Sequence, residues 1–270
     1  MERTVFDMTG REVHLKHPPR KIISLVPSLT ELLHYLHLEE QVAGITRFCI
    51  KPEHWSRNKI IVGGTKTVDL ERVRRISPDL IIGNKEENVL EQIEKMKIDY
   101  PVWISDVNSL DDALRMITGI GEITFREKES QELSIKVSSL FAELEKKNKE
   151  IHKATVAYLI WKSPYMVAGK DTFINHLLER CGLKNSFSDL SRYPEVTLEE
   201  LRIRNPDFIF FSSEPFPFNE KRIEEERNNF PDSECMLVDG EYFSWYGSRL
   251  LHVPDYLSEL MGHIRKKNIF

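Results

Sequence analysis

A chain of 270 residues is long enough for one large domain or two modest ones with a real core. Apolar residues at 40% and charged residues at 30% exclude disorder as the main state. Lys plus Arg number 38 against 43 Asp plus Glu, and the resulting net charge of −5 speaks against a general nucleic-acid binder.

No apolar run reaches the roughly 18 residues a transmembrane helix needs. Cys49, Cys181 and Cys235 are too scattered for a disulfide framework or a structural zinc site. The N-terminus, MERTVFDMTGREVHL, has no basic n-region and no apolar h-region, so it does not read as a secretory signal. Two expectations follow: a cytoplasmic protein, or a mature one whose leader has gone.

Taken in order, Thr4 to Leu15 reads as a hairpin around Thr9-Gly10-Arg11, ended by Pro18 and Pro19. Lys21 to Val26 is a buried strand. Ser28 and Glu31 have capping-box spacing for a helix continuing through Leu36 and Leu38. Val42 to Ile45 is a strand, followed by a loop with Phe48 and Cys49. Asp69 caps a helix that Pro78 stops. Leu80 to Gly83 is a strand, Val89 to Met96 a helix and Val102 to Ser105 a strand. This alternation is that of an α/β domain with a parallel sheet.

Leu110 to Lys149 is different, with helical spacing and no proline. Leu133, Val137, Leu140, Phe141 and Leu144 share one face, and Gly119 and Gly121 mark a bend or break. The segment reads as a stiff strut between two lobes, or as two ordinary helices. Alternation then resumes. Thr155 to Trp161 is a strand, Asp171 to Cys181 a helix with Gly182 as its C-cap, and Thr197-Leu-Glu-Glu200 a second capping box. Phe208 to Phe211 and Met236 to Val238 are strands, and Leu250 to Lys266 is the last helix.

Asp69-LERVRRISPDLIIGN-84 lies on Thr197-LEELRIRNPDFIFFS-212 at one offset, matching Leu70 with Leu198, Glu71 with Glu199, Pro78 with Pro206 and Asp79 with Asp207. The fold class is therefore α/β: two similar lobes, each a mainly parallel sheet with flanking helices, joined by one long helix, with a ligand cleft between them. The expected divisions are 1–108, a linking helix at 109–150, and 151–270. Glu71 and Glu199 fall in equivalent first helical turns, where a carboxylate also complements the helix dipole.

Phosphate-loop, dinucleotide, zincin and nucleophile-elbow motifs are absent, and Val62-Gly63-Gly64-Thr65-Lys66 reads as a plain loop. His14 with His17 and His34 with His37 are each three apart, but neither pair has a further His or Cys nearby, so no metal site is expected. The richer signal is aromatic. Phe48, Trp161, Tyr165, Phe243, Trp245 and Tyr246, with Arg249, follow strands, where α/β domains line ligand sites, and Tyr193 precedes a helix. Glu214-Pro-Phe-Pro-Phe218 is another strand exit. Rings interleaved with cations suit a large, flat, partly anionic ligand. Some of these rings are expected to pack beneath the loops instead.

Lys21-IISLVPSLTELL-33, Val42-AGITRF-48, Asp69-LERVRRISPDLII-82, Val167-AGKDTFINHLLERCGLKN-185 and Val196-TLEELRIRNPDFIF-210 together resemble the helical-backbone periplasmic-binding-protein family, most closely its cobalamin-binding branch. The resemblance implies a non-enzymatic receptor that delivers a metal chelate to an ABC importer permease: cobalamin first, with ferric siderophore or haem as alternatives. It implies no covalent cofactor, a monomer, and a periplasmic or cell-envelope location. It places Glu71 and Glu199 on importer arginines, and Phe48 and Tyr193 on the corrin. Thr65 stands where the family carries a tryptophan. The competing expectation is a cytoplasmic protein that holds or processes a cofactor on the same fold, with Glu86, Glu87, Asp106 and Glu214 as acid–base candidates.

Overall fold

The computed structural model describes residues 2–148 and 154–267. Two compact units emerge. The first comprises the chain up to Val107, Asp111–Ser138 and Trp245–Leu250; the second comprises Asn108–Leu110, Ser139–Ser244 and the chain from Leu251 on.

The first unit begins with a hairpin, β1 (Arg3–Phe6) and β2 (Glu12–Leu15), paired antiparallel around the expected turn. Then come β3 (Ile22–Ser24), α1 (Pro27–Tyr35), β4 (Val42–Ile45), α2 (Glu53–Asn58), β5 (Ile60–Ile61), α3 (Leu70–Ile76), β6 (Leu80–Asn84), α4 (Leu90–Lys97) and β7 (Val102–Ser105). Among the described residues its sheet runs β5-β4-β3-β6-β7, every pair parallel. Ile22, Ile23, Leu80, Ile81 and Ile82 are fully buried, as strands covered on both faces require.

The expected capping box of α1 does not form. Its N-cap is Val26, without a side-chain cap, and Pro27 stands in the first turn. Proline supplies the helical φ there and brings no N–H to satisfy. Glu31 is drawn instead to Arg249. The helix also stops at Tyr35, because the next turn passes through His37 at φ 57°.

The long segment is two helices, α5 (Leu110–Thr124) and α6 (Glu127–Asn148), and Lys149 lies outside the described residues. The interruption falls at Phe125, φ 59°, not at the glycines. Gly119 and Gly121 sit inside α5 because neighbours press on them: a Cβ would stand 2.9 Å from the Trp103 ring at Gly119 and 2.4 Å from the Ser130 Cβ at Gly121. One of the sequence boundaries between the units falls within α6, between Ser138 and Ser139.

The second unit carries β8 (Thr155–Trp161), β9 (Tyr165–Val167), α7 (Phe173–Arg180), β10 (Lys184–Asn185), β11 (Glu195–Val196), α8 (Leu198–Arg204), β12 (Phe208–Ser212), α9 (Glu220–Arg227), β13 (Glu234–Val238), α10 (Glu241–Ser244) and α11 (Val253–Lys267). β10, β8, β12 and β13 run parallel, while β9 and β11 add antiparallel strands at one edge. Each unit is thus a mainly parallel sheet flanked by helices.

The repeat has a physical basis. α3 is capped by the Asp69 side chain, which accepts from the Glu71 and Arg72 amides, and α8 by the full Thr197–Glu200 box. Both helices end in a left-handed residue, Ser77 at φ 50° and Asn205 at φ 40°. Asp79 then accepts the Arg20 and Lys21 amides at 2.8 and 3.0 Å, beside β3. Asp207 accepts the Thr155 amide and hydroxyl, both at 2.7 Å, at the start of β8. In each unit the Pro-Asp turn ties off the neighbouring strand.

Candidate functional site

Parallel strands in each unit end on the same side of their sheet, and Phe48 and Trp161 stand at such ends. In the first unit Phe48 lies just beyond β4, in a tight turn where the Cys49 amide donates to Thr46 O at 3.0 Å. The Cys49 thiol is enclosed by the Thr30 and Thr46 hydroxyls at 3.0 and 3.2 Å, and burial pushes its pKa up. With that anchor fixed, Phe48 remains 54% exposed. Gly64 makes room for it, since a Cβ there would stand 3.2 Å from the Phe48 ring. The glycine loop is a plain closed turn: Gly63 sits at φ 110°, and the Gly64 amide donates to Thr67 O at 3.0 Å. The Thr65 carbonyl accepts from Asn88 at 3.0 Å.

Trp245, Tyr246 and Arg249 belong to the first unit, although they come from the far end of the chain. They follow the short helix α10 rather than standing directly at a strand exit. Gly247, at φ 131°, approaches α1 closely enough that a Cβ would lie 3.3 Å from Leu32. Arg249 then grips Glu31 at two points, Nε to Oε2 at 3.1 Å and Nη2 to Oε1 at 2.7 Å. The Arg249 guanidinium lies 4.9 Å from the centre of the Trp245 ring, and the Lys51 ammonium 5.6 Å. Trp245 and Tyr246 are buried. Arg249 thus pairs with Glu31 and lies against the Trp245 ring.

In the second unit Trp161 ends β8 and is 38% exposed. Phe216 packs edge-on to it at 5.4 Å. Sequence reasoning marked that loop but not this ring; its signal was Pro-Phe-Pro-Phe, alternating stiff turns with apolar bulk. Tyr193 is half-buried beside Arg192, whose guanidinium is 5.8 Å from the ring centre. Arg192, at φ 62°, is anchored by bonds of 2.7 Å to both Asn108 Oδ1 and Asp171 O. Gly169 lets that loop approach, since a Cβ would meet Leu190 O at 2.2 Å.

Two aromatic candidates are tied into the second unit itself. Phe243 is fully buried, its ring 4.9 Å from Tyr158 and 6.2 Å from Tyr256, so it is a core residue and offers no face to a ligand. Tyr158 is itself enclosed, and burial raises its pKa well above normal. The Tyr165 hydroxyl donates to Glu226 at 2.6 Å, and desolvation together with that carboxylate holds its pKa high. Glu226 is buried. Desolvation opposes its charge, but Lys162, Tyr165 and Asn229 outweigh that and lower its pKa. Replacing Phe243 by leucine is expected to cost about 1.5 kcal/mol of stability, from imperfect packing and a lost aromatic pair, without changing ligand affinity. Chemical denaturation and titration calorimetry on one preparation check both parts.

The acid–base candidates all lie in loops after strands. Asp106 pairs with Lys85 at 2.6 Å, the Glu86 and Glu87 amides are held by Asn84 Oδ1, and Glu214 accepts from Ser244 at 2.7 Å. Each supports a loop. Glu71 and Glu199 are exposed, one on α3 and one on α8.

Residues 22–233 match the family described as periplasmic binding protein. The chain belongs to that family. It is 28% identical over 215 residues to an ABC transporter substrate-binding lipoprotein, YvrC, of Bacillus subtilis, covering 76% of this chain and 68% of that one. It is 22% identical over 255 residues to the vitamin B12-binding protein of Vibrio campbellii, covering 93% and 92%. The crystal structure of the periplasmic vitamin B12 binding protein BtuF of Vibrio cholerae superposes with a TM-score of 0.79 over 92% of this chain and 99% of that one, at 18% identity. Family members of this kind bind and deliver substrates; they are not enzymes.

Proposed function

We propose that this protein is the substrate-binding component of an ABC importer and that its cargo is a metal chelate, a corrinoid in preference to haem or a ferric siderophore. The reading rests above all on the match to a vitamin B12-binding relative over nearly the whole of both chains. The aromatic strand ends support it. Phe48 and Trp161 keep large ring surfaces exposed, and exposed aromatic surface of that kind carries ligand affinity. Tyr193 stands with them as a ligand contact. Trp245, Tyr246 and Arg249 shape the surface from beneath, and Tyr165 and Phe243 hold the second unit's frame. Glu71 and Glu199 are the proposed contacts with the permease.

Titration calorimetry with cyanocobalamin, haem and a ferric hydroxamate chelate tests the proposal. The corrinoid is expected to bind most tightly, and Phe48→Ala and Trp161→Ala each to weaken it by about tenfold, the loss of roughly 1.4 kcal/mol. Absence of binding by all three chelates overturns the reading. Tighter binding of haem or the ferric chelate overturns the corrinoid assignment alone.

A further inference from the structure

Histidine spacing in the sequence pointed to no metal site, because the His34–His37 pair had no third ligand in view. The fold supplies different partners. His34 lies in the last turn of α1, Glu39 in the turn that follows, and His54 in the first turn of α2. One ligand atom from each of His34, Glu39 and His54 lies within 4.8 Å of the other two. His54 Nε2 and Glu39 Oε1 are already 2.8 Å apart. The two imidazoles meet edge to face at 5.5 Å, and the Trp55 indole packs edge-on against both, at 5.3 Å from His34 and 6.4 Å from His54. Trp55 is fully buried. Lys59 lies beside the cluster, its ammonium donating to the Glu39 backbone carbonyl at 2.5 Å. His37 has turned out of α1 at φ 57° and is not part of the cluster.

The geometry points to a divalent transition-metal site at His34, Glu39 and His54, of the class that zinc occupies. Two imidazoles and one carboxylate form a donor set for zinc with an open fourth position, and imidazole donors disfavour magnesium and calcium. Bond lengths of about 2.0–2.1 Å put tetrahedral ligand atoms roughly 3.3 Å apart, so the three side chains need only small rotations to close on an ion. His34 is half-buried, while Glu39 and His54 are exposed, so an ion reaches the site from solvent without unfolding. Closure would also have a consequence for the neighbouring loop. Phe48 lies in the segment between Glu39 and His54, and a bound ion ties the two ends of that segment together. None of its ligands is a proposed chelate contact.

The test is titration of zinc chloride into the tag-free protein at neutral pH without any chelate, with magnesium chloride as the control. One zinc per chain and no response to magnesium are expected. Cobalt(II) chloride should give visible d–d bands of tetrahedral intensity. His54→Ala should weaken zinc binding about tenfold or more, as should Glu39→Gln, while His14→Ala leaves it unchanged. No zinc binding by the native chain, or binding that survives both His54→Ala and Glu39→Gln, overturns the site. Should one variant fail to fold, the cobalt spectrum of the native chain still decides, since the absence of tetrahedral bands is itself an overturning result.

Discussion

Replacing Glu71 and Glu199 together by alanine is expected to leave chelate affinity unchanged and to lower importer-dependent uptake by roughly three orders of magnitude. Truncating one partner of a buried charge pair at an interface costs about 2–5 kcal/mol, and pairs that share no partner add. The fold does not need these carboxylates. In α3 the capping is done by Asp69, and in α8 by Thr197 with Glu200. Among the described residues Glu71 pairs with Arg74 on the same exposed face, a contact that exchanges readily with solvent or a partner. The competing explanation, that both carboxylates merely complement helix dipoles, predicts a loss of about 0.3–1 kcal/mol of stability each and no loss of uptake. Uptake of radiolabelled corrinoid in cells carrying the cognate importer, alongside calorimetry on the purified variant, distinguishes the two. Full uptake by the double variant refutes the docking assignment.

Gly121→Ala is expected to destabilise the first unit by about 3 kcal/mol, at the upper end of what overpacking costs. A Cβ at Gly121 would stand 1.8 Å from Ser130 Oγ, 2.4 Å from its Cβ and 2.9 Å from the Arg126 carbonyl. Turning the Ser130 hydroxyl away relieves the first contact only. The second requires α5 and α6 to part, and Ser130 is buried. Alanine's helical advantage over glycine, about 1 kcal/mol, does not offset this. Removing the opposing Cβ as well, in Gly121→Ala/Ser130→Gly, should recover part of the loss, less the cost of a new helical glycine. At about 2–4 °C per kcal/mol, the melting temperature should fall by roughly 6–12 °C in the single variant and by less in the double. If the single variant melts with the wild type, α5 and α6 do not pack as described.

Much of the architecture was legible because short-range rules governed it. Strand periodicity and turn residues placed β4, β7 and β8 correctly to the residue. The repeat was legible because Asp69 and Thr197 cap their helices locally and because Asp79 and Asp207 each end a Pro-Asp turn. Local rules failed where a distant residue competed for the same group. Ser28-Leu-Thr-Glu31 has the letters of a capping box, but Arg249, more than 200 positions away, takes the Glu31 carboxylate. Gly119 and Gly121 look like helix breakers by propensity. They are close-approach points instead, and the break falls at Phe125.

The site residues divide in the same way. The places of Phe48 and Trp161 at strand ends are legible because a residue following a buried strand is placed by the strand itself. Phe243 was misjudged because nothing in its neighbourhood shows that Tyr158 and Tyr256 will enclose it. The His34–Glu39–His54 cluster was invisible because its third ligand arrives on a separate helix.

What the sequence alone determined is the α/β plan, the repeated capped-helix and Pro-Asp unit, and the family, each written in contacts between residues near one another in the chain. Only the tertiary structure decided that 245–250 joins the first unit, that Arg249 serves Glu31, which aromatic rings stay exposed, and that three separated side chains converge beside Trp55. The reason is physical: packing, ion pairing and metal geometry depend on distances in space, which sequence separation does not report.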